Sequence, residues 1–66
     1  MTIFINGEER QIQDGLSLSG ALEALDLPKQ RVAVELNRSV IRKQDWENTK
    51  IADNDRLEVV HFVGGG

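Results

Sequence analysis

Only one segment of this chain has the spacing of an amphipathic helix, and its apolar stripe sets what every other segment must do. In "LSLSGALEALDLP", Leu18, Ala21, Leu22 and Leu25 recur at i, i+3, i+4 and i+7, which places them along one helical face. Ser17 stands where a hydroxyl accepts a hydrogen bond from an orphan amide of the first turn. Pro28 sets the far limit, because the residue before a proline is pushed out of the helical region. Gly20 in the first turn weakens the helix by about 1 kcal/mol relative to alanine. Packing must therefore hold this helix, and the other segments offer strands for it to pack on.

"MTIFI" alternates Met1, Ile3 and Ile5 on one face with Thr2 and Phe4 on the other, a strand pattern. Asn6-Gly7 is a strong hairpin signal, since a type I′ turn needs positive φ at both positions. The return run "EERQIQ" is polar apart from Ile12, as suits an edge strand whose charges discourage further pairing. "RVAVELN" puts Val32, Val34 and Leu36 on one face and Ala33 and Glu35 on the other. Asn37 and Arg38 then turn the chain into the short run "SVI". "RKQDWENTKIADND" has no clear period and reads as a loop with room for a helical turn, anchored by Trp46 and Ile51. "DND" at 53–55 is a turn in which Asn54 tolerates left-handed geometry. The final strand, "RLEVVHFV", aims Leu57 and Val59 inward and Glu58, Val60 and Phe62 outward. The most economical packing is an α+β domain: a mixed sheet of four to five strands with the one main helix across one face. The first and last strands would lie side by side in the middle, the β-grasp arrangement of ubiquitin.

Sixty-six residues make one modest core. The expected division is a β-grasp domain over 1–63 and a flexible glycine tail over 64–66. The absence of cysteine removes disulfides, thiol nucleophiles and cysteine-based zinc sites. No apolar run approaches the roughly 20 residues of a membrane span, and the first residues lack the features of a signal peptide. Cytoplasmic residence with no membrane partner is expected. A net charge of −3 disfavours nucleic-acid binding and suits steering toward a basic protein surface.

Side-chain catalysis has little to work with. His61 is the single histidine, near a strand end where a solvated or partly packed side chain is the ordinary outcome. Glu8 and Glu9 face opposite sides of their strand, so they make no carboxylate dyad. Asp53 and Asp55 lack the rest of a twelve-residue calcium loop. No glycine-rich phosphate loop opens a helix, and no catalytic residue or metal ligand is assigned. The conspicuous group is the terminal carboxylate of Gly66, carried past the last strand by Gly64 and Gly65. Three extended residues reach roughly 10 Å, and a tail without Cβ atoms enters a channel that side chains would block. Converted to an acyl-adenylate, the carboxylate would become an acyl donor to a sulfur nucleophile. A frayed end gives the same sequence; a β-grasp strand running directly into the glycines favours function. Phe4, Val60 and Phe62 form a candidate apolar docking patch on the sheet face away from the helix, against the alternative of scattered surface hydrophobes.

Taken in order, "IFING", "LSLSGALEAL", "VAVELN", "RKQDW", "DND" and "VHFVGGG" resemble the ThiS family of thiamin-biosynthesis sulfur carriers along nearly the whole chain. Asn54 stands where the family usually has glycine, and Arg42 where it often has proline; neither departure touches the tail. The resemblance implies a carrier and protein substrate rather than an enzyme. An E1-like, ATP-dependent enzyme of the ThiF type would adenylate Gly66, with ATP bound by that enzyme and no cofactor held by this chain. A cysteine desulfurase system would supply the sulfur of a thiocarboxylate. A ThiG-type thiazole synthase would then receive that sulfur while building the thiazole of thiamin. Gly65 and Gly66 match the family's terminal pair. The small subunit of molybdopterin synthase and a ubiquitin-like protein modifier share the fold and the tail, and remain the alternatives.

Overall fold

The computed structural model describes residues 1–62. The elements are β1 (Thr2–Ile5), β2 (Glu8–Gln11), α1 (Leu18–Ala24), β3 (Val32–Leu36), β4 (Ser39–Ile41), a 3-10 helix (Lys43–Asn48) and β5 (Arg56–His61). The five strands form one mixed sheet in the order β2-β1-β5-β3-β4. Only β1 and β5 pair in parallel; the other neighbours are antiparallel. The expected central placement of the first and last strands is thus found, with all-exposed β2 as an edge strand.

The alternation read from the sequence becomes the two faces of this sheet. Ile3 and Ile5 of β1, Val34 of β3 and Leu57 of β5 are buried with Leu18, Ala21 and Leu22 of α1. Trp46 and Ile51 close the same core from the irregular segment. The Trp46 indole Nε1 donates to the carbonyl of Ile41 at 2.9 Å, which satisfies the polar atom of a side chain buried for its area. The segment without a clear period is thus a 3-10 helix that packs one large aromatic residue under α1.

The helix begins as expected, with Ser17 Oγ accepting from the Gly20 amide at 3.0 Å. A Cβ on Gly20 would sit 3.3 Å from Leu16 Cδ2, so the glycine that weakens α1 also leaves room for its neighbour. The helix does not run as far as Pro28. Leu25 is its C-cap and Asp26 adopts φ 56°. The Asp26 amide donates to Glu23 O at 3.0 Å and the Leu27 amide to Leu22 O at 2.8 Å, the paired bonds of a Schellman stop. An aspartate fills the left-handed position that glycine usually takes, so the stop was hidden from a search for glycine. Beyond it, Lys29 donates to the Glu23 carboxylate. That hydrogen bond, and then the lysine's charge, hold the carboxyl below its usual range.

The turns bear the expected signs. Asn6 and Gly7 have φ of 50° and 85°, and Asn54 has φ 70°. The β3–β4 hairpin turns on Asn37 (φ 50°) and Arg38 (φ 75°), a two-residue connection in which the second site favours glycine. Asn37 is held by its side chain, which accepts from the Arg56 amide at 2.9 Å and donates to Asp55 at 3.0 Å; no such bond holds Arg38 among the described residues. Arg38→Gly should therefore raise stability by about 0.5–1 kcal/mol, a gain of a few degrees in thermal midpoint. Gly7→Ala is the opposite case. A Cβ there meets nothing within 4 Å, so its expected destabilisation reports backbone conformation alone. Thermal unfolding of both variants checks the pair, and equal midpoints for wild type and Arg38→Gly would contradict the assignment.

Candidate functional site

β5 is the central strand that points toward the glycine run, and its supports differ on its two sides. On one side β3 pairs with it from Leu36↔Leu57 to Val32↔His61. The ladder continues one bond further, with the Phe62 amide donating to Arg31 O at 2.7 Å. On the other side β1 stops early: its last register pair with β5 is Ile5↔Leu57. There the side chain of Asn6 takes over. Its Oδ1 accepts from the Val59 amide at 2.8 Å and its Nδ2 donates to Val59 O at 3.2 Å. One amide side chain thus meets both backbone groups that a further β1 residue would have met. The left-handed backbone of the hairpin turn is what aims Asn6 at β5.

The start of the same strand is fixed by the acidic turn. Asp53 Oδ1 accepts from the Thr2 amide at 2.7 Å, and Asp55 Oδ2 accepts from the Ala52 amide at 2.7 Å. Asp55 O accepts from the Phe4 amide at 2.9 Å. These carboxylates are occupied as turn and strand caps. No cluster of three potential metal ligands occurs among the described residues.

Of the three residues expected to form a docking patch, the structure brings two together. Val60 and Phe62 follow one another on the outer face at the far end of β5, each 55% exposed. Phe4 is level with Arg56, four residues before Val60, or roughly 13 Å along a strand. The Arg56 guanidinium lies 4.6 Å from the centroid of the Phe4 ring, so that ring is partly covered within the chain. Val40, absent from the expected patch, is the most exposed large apolar side chain among the described residues at 67%. It lies on the same outer face, because Val40 pairs with Glu35 while inward Ile41 pairs with Val34. The alternation of "SVI" was too short to orient it without the β3 register. His61 is exposed and no polar cluster forms around it among the described residues. Val63, Gly64, Gly65 and Gly66 lie outside the described residues.

Residues 3–66 match the model of the ThiS family. The chain belongs to the ThiS family. It is 33% identical over 63 residues to the sulfur carrier protein ThiS of Bacillus subtilis, covering 94% of this chain and 96% of that protein. The crystal structure of a thiamine biosynthesis protein (ThiS) from Geobacter metallireducens superposes with a TM-score of 0.85 at 30% identity, each chain covered completely. The β-grasp fold and the sulfur-carrier family expected from the sequence are thus both found. This ThiS-family chain is also 38% identical over all 66 residues to a thiazole synthase of Magnetococcus marinus, of whose length it spans 20%. A thiazole synthase of Paramagnetospirillum magneticum gives 36% over the same span, again 20% of its length.

The Asn6 bridge yields a direct test. Asn6→Gly keeps the positive φ of the turn and removes both bonds to Val59. Hydrogen exchange at the Val59 amide should quicken by roughly tenfold, about 1.4 kcal/mol of lost local protection. The Phe4 amide, bonded to Asp55 O at the other end of the pairing, should change far less. Equal protection of Val59 in both proteins would show that Asn6 does not hold this strand.

Proposed function

We propose that this chain carries sulfur for assembly of the thiazole moiety of thiamin, with the carboxylate of Gly66 as the carrying group. The observation that carries the reading is the family match, which extends through the glycine run to residue 66. Chemistry makes the role specific. A carboxylate oxygen of Gly66 attacks the α-phosphorus of ATP on a ThiF-like activating enzyme, and pyrophosphate leaves. The acyl-adenylate is then attacked at its carbonyl carbon by a sulfide-equivalent nucleophile. The C–S bond forms as the C–O bond to AMP breaks, leaving a thiocarboxylate. ATP belongs to the activating enzyme; this chain is its protein substrate. Gly64 and Gly65 supply a Cβ-free approach of several ångströms.

A thiazole synthase of the ThiG type is the proposed acceptor. Its support is that two thiazole synthases contain a segment similar to this entire chain. The sulfur comes from cysteine through a desulfurase, and the cytoplasm is the proposed setting. Val60 and Phe62 adjoin the tail and belong to the docking surface, with Phe4 at its far margin.

Incubation with ATP, the cognate activating enzyme and a sulfide source should give a species heavier by the replacement of one oxygen with sulfur in intact-mass analysis. Deletion of Gly66 should abolish that species, and one alanine added after Gly66 should do the same while leaving the thermal midpoint unchanged. Normal adenylation of the extended protein would sink the claim that Gly66 carries the reactive group. Larger conjugates at lysine, in place of the sulfur-bearing species, would favour a protein modifier.

A further inference from the structure

Asn6 is the one asparagine of the chain that precedes glycine, and that dipeptide carries a reaction of its own. The glycine backbone nitrogen attacks the asparagine Cγ. The new C–N bond closes a five-membered succinimide, and the side-chain nitrogen departs as ammonia with the proton of the attacking amide. Water then opens the ring at one of its two carbonyls. The products are an aspartate or an isoaspartate, in which the backbone runs through the former side-chain carbon. Glycine favours the closure because no Cβ crowds the attacking nitrogen.

The fold leaves the attacking group open and gives the consumed amide a structural role. Asn6 and Gly7 are exposed, and a Cβ at Gly7 would meet nothing within 4 Å. The Gly7 amide donates to no backbone acceptor among the described residues. The Asn6 side chain, in contrast, is engaged at both atoms. Its Oδ1 accepts from the Val59 amide at 2.8 Å and its Nδ2 donates to Val59 O at 3.2 Å. Nδ2 is the leaving nitrogen, so conversion removes the donor of the second bond. An ionised carboxylate in its place only accepts, and it would face the Val59 carbonyl oxygen. The isoaspartyl product also lengthens the backbone of a two-residue turn whose φ values of 50° and 85° match the strands it joins.

We propose that Asn6 is a deamidation site, that its bonds to Val59 restrain the reaction, and that conversion loosens the outer end of β5. The restraint follows from the geometry, since the side chain must leave Val59 and turn toward the Gly7 nitrogen before the ring can close. The net worth of two such bonds keeps the released side chain to roughly a tenth of the molecules. Asn37 supplies the contrast. It too has a φ of 50° and holds β5 through its side chain, at the Arg56 amide. Arg38 follows it, and that side chain crowds the nitrogen that would attack.

The test follows the full chain in mildly alkaline buffer, native and in urea, with peptide mapping by mass spectrometry for replacement of NH2 by OH. Conversion at Asn6 should be roughly tenfold slower in the native chain than in urea, and Asn37 should lag well behind Asn6 in urea. Gly7→Ala should slow conversion several-fold in urea, where its effect on folding has no bearing. Native chain converted at Asn6, separated by its added negative charge, should exchange the Val59 amide about tenfold faster, with the Phe4 amide changed far less. Asn6→Asp should reproduce that difference between Val59 and Phe4. Below the titration range of the new carboxyl the difference should shrink, because a protonated carboxyl donates again. Equal rates in native chain and urea would overturn the restraint, and unchanged Val59 exchange after conversion would overturn the loosening. Absence of conversion at Asn6 in urea would overturn the site itself.

Discussion

The parallel pairing of β1 with β5 is the interaction on which the rest of the domain depends. It joins residues more than fifty positions apart, as the separations of 51 and 53 in its side-chain bonds record. It contains only two register pairs, Phe4↔Arg56 and Ile5↔Leu57, yet it sits in the middle of the sheet. β2 attaches to one side of this pair and β3 with β4 to the other. Ile3, Ile5 and Leu57 provide the floor on which Leu18, Ala21 and Leu22 are buried. Without the pairing, α1 is a seven-residue segment, too short to persist alone in water. Closing so long a loop costs entropy before any contact offsets it, and side chains supplement the brief backbone ladder at both ends: Asp53 at Thr2, Asn6 at Val59.

Most of the fold was legible because strand and helix periods are strong signals over short distances. The edge character of β2, the stripe of α1, the inward Leu57 and the left-handed Asn6 and Asn54 all followed from residue type and spacing. What escaped had a definite physical origin in each case. The helix stop at Asp26 used a residue that usually avoids positive φ, so Pro28 claimed the boundary from further away. The 3-10 helix carries one buried side chain, Trp46, and one residue has no period. The outward position of Val40 and the cross-strand pairing of Glu35 with Glu58 became visible only once β3 was aligned with both neighbours, since register between strands is a tertiary property. Phe4 illustrates the converse. Its outward direction was correct, but its distance from Phe62 depends on where β1 meets β5, which alternation cannot report.

A domain of this size has one helix and therefore one covered sheet face. The other face must remain in contact with water or with a partner, and its residues are free of core packing. That freedom explains how an acidic pair and exposed valines coexist in the two strands beside the domain's best-buried residues. On β3, Val34 is fully buried while neighbouring Glu35 faces outward; on β5, Leu57 is buried while neighbouring Glu58 is exposed. Core packing and the outer surface thus occupy alternate positions of the same strands, so outward residues can change with little effect on the core.

This division makes register a functional quantity as well as a structural one. A slip of one residue along β5 would turn Glu58 and Val60 toward the core and Leu57 toward water. It would also displace every residue beyond the strand by about 3.3 Å, which is comparable to the distance between reacting atoms in a productive complex. The bonds that prevent such a slip surround β5: Asn37 to Arg56 at its start, Asn6 to Val59 midway, and Arg31 to Phe62 past its end. None of them involves a group that the proposed sulfur chemistry consumes. Their contribution is positional, since they fix the outer face of β5 and the course of the chain as far as Phe62. A change at any of the three should therefore loosen the outer end of β5 even where the core stays packed.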